Sequence, residues 1–108
     1  MSLAKQMKDY LAKLILGRES VPTGLFEMSK YFAINGPIRF EDTRQDGIII
    51  AKSTNFRHGS IITSGKDEDE LDQNIKDAIL TSFEIPSAYS KQAGIHKIGD
   101  QKEYAIAQ

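Results

Sequence analysis

The chain has 108 residues, 40% of them hydrophobic and 27% charged, with a formal net charge of −1. That length supports one modest core and excludes two independent ones, and the composition is that of a folded globular chain. The near-neutral balance, with a pI near 6.1, excludes a large basic field for holding a phosphate backbone. The absence of cysteine excludes disulfides, thiolate metal sites and a cysteine nucleophile, and it fits a reducing, cytoplasmic address.

Along Ser2 to Leu16, Leu3, Met7, Leu11, Leu14 and Ile15 recur at steps of three and four, with Lys5, Lys8, Asp9 and Lys13 between them. This pattern predicts an amphipathic helix that Gly17 ends, and its charges interrupt any signal-peptide or membrane-spanning core. From Arg18 to Pro37, Pro22 and Gly24 break the pattern. The stretch Leu25, Phe26, Met28, Tyr31, Phe32 and Ile34 reads equally as a short helix or a buried strand.

Ile38 to Glu41 alternates as a strand, Arg44-Gln45-Asp46-Gly47 reads as a turn, and Ile48 to Ala51 is a β-branched second strand. A loop from Ser53 to Gly59 leads to a third strand, Ser60 to Thr63. Asp67 then has the character of a helix cap, with Glu70 three residues on able to reach back and Glu68 and Asp69 adding charge at the positive end of the dipole. The helix runs from Asp67 to Phe83, burying Leu71, Ile75, Ala78, Ile79 and Phe83 and turning Asp72, Gln73, Lys76 and Asp77 to water. Ser87 to Gly99 reads as a polar connector, and Glu103 to Ala107 as a last strand.

In the run from Gly65 to Ile79, Gly65, Glu70, Asn74, Ala78 and Ile79 fall in register with the start of the helix in the HicB-like antitoxin family. Ser53 to Gly59 stands where that family has a proline-rich loop ending in glycine, and Asp72 stands where an apolar residue is usual. The chain thus resembles that family over roughly residues 38–83, with 103–107 as a possible final strand. The resemblance implies an α+β fold: a small antiparallel sheet of three to four strands carrying one capped helix, a partial ribonuclease-H-like β-β-β-α-β unit without nuclease carboxylates. On this reading 1–36 is an N-terminal helical extension and 37–108 the domain.

The resemblance also implies a homo-oligomer that binds a small basic HicA-type toxin. Partner contacts are then expected at Asn55, Phe56, Arg57 and His58 and at Asp67, Glu68, Asp69 and Glu70. Full antitoxins of this kind carry a separate DNA-binding segment. Here the helix bearing Lys5, Lys8, Lys13 and Arg18 is the candidate for that role, against the plainer reading of a solvated face.

No catalytic, cofactor or metal site is expected. His58 and His96 lie far apart without spaced ligand partners, so both read as loop residues, with an enzyme built around His58 as the rival hypothesis. The acidic run from Asp67 to Asp72 lacks the central glycine and spacing of a calcium loop. Glu41 and Asp42, adjacent on a strand, point to opposite faces and cannot share one ion. Gly-x-Ser-x-Gly and a phosphate-binding Gly-Lys-Ser/Thr loop are both missing from the sequence.

Overall fold

The computed structural model describes the backbone of residues 11–99 and 102–106, with side chains from residue 23 onward. In chain order the elements are α1 (Leu11–Asn35), β1 (Ile38–Gln45), β2 (Ile48–Ser53), β3 (Ile62–Gly65) and α2 (Glu68–Ser82). A 3₁₀ turn (Ser87–Tyr89), α3 (Ser90–Ala93), β4 (Ile95–Ile98) and β5 (Glu103–Ile106) complete it. The chain is α+β, with one antiparallel sheet in the order β3-β2-β1-β5-β4.

Helix α1 corrects the expected stop at Gly17, because it runs on through Gly17, Pro22 and Gly24 to Asn35, and so decides the undecided segment as helix. Residues 2–10 of the expected N-terminal helix, with Lys5 and Lys8, lie outside the described residues. A glycine inside a helix costs about 1 kcal/mol and a proline removes one main-chain hydrogen bond. Packing compensates: Met28, Tyr31 and Phe32 are buried in the core, and a Cβ on Gly24 would stand 2.6 Å from the Phe83 carbonyl oxygen. Gly24 thus lets the helix approach the end of α2.

The β1–β2 hairpin turns on two residues, Asp46 (φ 54) and Gly47 (φ 80), so β1 extends to Gln45 beyond its expected end. Two successive positive φ values match the twist of paired strands, which is why Asp-Gly is favoured there. Strand β3 lies two residues later than expected. Ile61 N–H donates to Ser53 Oγ (2.9 Å) while Ser53 N–H donates to the Ile61 carbonyl (2.9 Å), satisfying the buried Ser53. The expected polar connector contains a fifth strand, β4, which pairs with β5, and its Ile95 is buried.

The registers set Ile38 and Phe40, Ile49 and Ala51, Tyr104 and Ile95 on one face of the sheet. Helix α2 closes that face with Leu71, Ile75, Ile79 and Leu80, all fully buried and each worth about 1.5–3 kcal/mol. Phe83 is buried and Ala78 packs half-buried at the margin. The opposite face, with Arg39, Glu41, Thr43, Lys52 and Ile62, is exposed. No helix among the described residues is long and apolar enough to cross a membrane.

Candidate functional site

Helix α2 begins as its chemistry demands. Asp67 is the cap, its Oδ1 accepting from Glu70 N–H at 2.8 Å, and Glu70 Oε1 reaches back to Lys66 N–H at 2.7 Å. One donor that the helix leaves unpaired, Glu70 N–H, and the Lys66 N–H just before the cap are thereby satisfied. Gly65 is buried because the helix start lies on it: an added Cβ would stand 2.5 Å from Leu71 N. Asn74 then ties α2 to β3, its Nδ2 donating to the Ser64 carbonyl at 2.7 Å.

The acidic turn is largely occupied by its own molecule. Glu68 accepts from Lys102 Nζ at 2.8 Å and pairs with Arg44 at 3.3 Å, while Lys102 also pairs with Asp42 at 3.1 Å. The hydrogen bond from Lys102 and the surrounding cations hold the Glu68 carboxyl below its usual range. Burial works against the charge on Lys102, but its bonds to Glu68 and Asp42 prevail and raise its pKa. Asp67 and Glu70 serve the cap, which leaves Asp69 as the exposed carboxylate of the turn without such a bond among the described residues.

Asp72 is not turned to water as expected. It is half-buried, accepting from the Tyr104 hydroxyl at 2.7 Å and pairing with Lys76 at 3.0 Å. Burial alone would raise its pKa, but the bonds from Tyr104 and Lys76 outweigh it and the carboxyl sits below its usual value. Among the described residues no group of three or more His, Asp or Glu side chains is placed to hold a metal ion.

The loop Asn55 to His58 is locked by different means. Asn55 Oδ1 accepts from Arg39 N–H (2.8 Å) and its Nδ2 donates to the Pro37 carbonyl (3.1 Å), pinning the loop to the start of β1 without prolines. Phe56 and His58 pack on Tyr31, with ring centroids 5.2 and 5.3 Å away, and on Phe83 at 6.0 and 6.2 Å. Arg57 N–H donates to the Tyr31 hydroxyl and Arg57 Nε to Asn35 Oδ1, both at 3.0 Å. A groove of about 480 Å³, lined by Ile34, Asn35, Asn55, Phe56 and Arg57, opens beside it. A smaller one, about 280 Å³, is lined by His58 together with Glu27, Phe83 and Glu84.

The expected contact residues therefore form two surfaces, not one. The loop meets Phe83 at the C-terminal end of α2, whereas Asp67 to Glu70 begin its N-terminal end, about 22 Å away at a rise of 1.5 Å per residue over 15 residues. Sequence reasoning missed Tyr31 and Asn35, which hold the loop, and Lys102 and Tyr104, which answer Glu68 and Asp72. The i, i+2 spacing of Lys102 and Tyr104 beside a strand is the signal that both face α2.

The fold is α+β, and the two groups of expected contact residues lie near opposite ends of α2. No family model, curated protein or solved structure matches it.

Proposed function

We propose that this chain is a non-enzymatic protein-interaction module, similar to HicB-type antitoxins, that self-associates and binds a small basic partner of the HicA-type class. The observation that carries the reading is the β3–α2 junction. Gly65, Glu70 and Asn74, three of the residues on which the resemblance rests, each join the helix to the strand: by close approach, by a bond to Lys66 N–H and by a bond to the Ser64 carbonyl. The order β-β-β-α closed by that junction supports the same reading.

Of the two edge strands, β4 is the better candidate for pairing with another chain. The hydrogen-bonded Ser53–Ile61 pair puts the Ser64 main chain on the outer edge of β3 by alternation, and Asn74 occupies its carbonyl there. Strand β4 carries Ile98 exposed at the rim of the sheet. For the basic partner, Asp69 at the α2 start and Glu27 and Glu84 near His58 are exposed carboxylates able to steer it. The test is light scattering at high protein concentration together with co-expression beside any small basic protein encoded in a neighbouring reading frame. A dimer or larger assembly and a co-purifying complex are expected; a strict monomer that binds no such protein overturns the reading.

A further inference from the structure

We infer that the groove between the end of α1 and the Asn55–Arg57 loop binds the C-terminal carboxylate of a peptide whose last side chain is apolar, with Arg57 as its anchor. The inference is independent of the partner class proposed above.

Arg57 is held at both ends. Its main-chain N–H donates to the Tyr31 hydroxyl and its Nε to Asn35 Oδ1, each at 3.0 Å. Asn35 is itself oriented, because its Nδ2 donates to the Tyr31 carbonyl at 3.1 Å and so leaves its oxygen for the guanidinium. Among the described residues the two terminal NH₂ groups of Arg57 have no partner, and none of those lining the groove is acidic. A guanidinium fixed through Nε still offers a planar pair of donors, the geometry that a carboxylate meets with two parallel bonds. Its positioning cost is already met by the fold, which favours binding.

The remaining walls choose the kind of carboxylate. Ile34 is 70% exposed, the most exposed large hydrophobic side chain among the described residues, and Phe56 stands half-buried across the groove. The volume of about 480 Å³ lies within the range of small-ligand sites. An inorganic anion would answer Arg57 but leave Ile34 wet. A chain terminus ending in an apolar residue answers both. Asn55 is not a ligand group, since its amide is committed to Arg39 and Pro37.

The plainer role for Arg57 is to place a cation at the negative end of α1. Lysine would fill that role as well, and this separates the two readings. The experiment is an NMR titration of the full chain, following Arg57 Nε–H and the main-chain amides of Ile34, Asn35, Phe56 and Arg57. The probes are N-acetyl-Ala-Ala-Leu as the free acid, the same peptide amidated, and inorganic phosphate. Saturable shifts with the free acid alone are expected. Binding should weaken at least about tenfold in Arg57→Lys and severalfold in Asn35→Ala, with both variants melting like the parent. Equal binding of the amidated peptide or of phosphate, unchanged binding in Arg57→Lys, or no saturable shift at about 10 mM peptide overturns the inference.

Discussion

The Tyr104 hydroxyl donates to Asp72 Oδ1 at 2.7 Å, joining β5 to α2 across 32 positions of sequence. Tyr104 is fully buried by solvent exposure and its ring meets Phe40 edge-on, so the hydroxyl is delivered to the helix by the sheet's own core. This bond gives the acidic side chain of Asp72 a partner within the fold. Tyr104→Phe should cost about 1–2 kcal/mol, the penalty for leaving a half-buried carboxylate short of a donor. Adding Asp72→Leu to that variant should recover part of the loss. Urea denaturation of the two variants checks both expectations.

Stability should fall at both ends of the pH scale. Asp72 and Glu68 have folded pKa values below their ordinary 3.8 and 4.5, so their contribution is present above those values and is lost as pH falls through the lower, folded ones. Lys102 is raised above its ordinary 10.5, so its contribution is present below that value and lost as pH climbs through the folded one. Burial, and then the bond to Asp72, push Tyr104 well above its ordinary 10.0, which adds to the alkaline loss because the unfolded chain ionises first. Melting temperature followed by circular dichroism should fall below about pH 4 and above about pH 10. Lys102→Met should flatten the alkaline limb and Asp72→Asn the acid one.

Gly65 should not tolerate a side chain. A Cβ there meets Leu71 N at 2.5 Å and Leu71 Cα at 2.7 Å, main-chain atoms that move only if the helix start moves. Gly65→Ala should destabilise by about 1–3 kcal/mol despite alanine's smaller loss of chain entropy. Thermal unfolding measures it. An unchanged melting temperature would mean that α2 can retreat from β3 at no cost.

Glu84 should be improvable. Helix α2 ends with Ile85 N–H on the Leu80 carbonyl and Glu84 N–H on the Thr81 carbonyl, the double bond pattern that calls for a left-handed residue between them. Glu84 takes that conformation at φ 59, where glycine is the usual choice. Glu84→Gly should stabilise by about 0.5–1 kcal/mol, the left-handed strain removed less the entropy that glycine adds to the unfolded chain. Differential scanning calorimetry reads the gain.

The most legible element in the sequence was α2. Its cap at Asp67, its end at Phe83 and the buried row Leu71, Ile75 and Ile79 follow from local rules, since a helix carries its own hydrogen bonds and its own periodicity. The Asp-Gly turn was legible for the same reason. Helix α1 was misjudged at Gly17 and Pro22 because a local break signal is worth only a few kcal/mol, and burial of Met28, Tyr31 and Phe32 exceeds it. Strand β4 was missed because four residues with His96 and Lys97 exposed leave no alternation to read; its partner in β5 defines it.

For the candidate surfaces the division is sharper. The sequence by itself determined that acidic groups crowd the start of α2 and that an Asn-Phe-Arg-His loop precedes β3. Only the tertiary structure decided what those groups are able to do. Lys102 and Arg44 answer Glu68, Tyr104 answers Asp72, and Tyr31 and Asn35 fix Arg57 beside an exposed Ile34. Each partner lies from 22 to 34 positions away in the chain, beyond the reach of any local pattern. A charge is written in the sequence, but whether it is spent inside the fold or presented to a partner depends on what the chain folds against it.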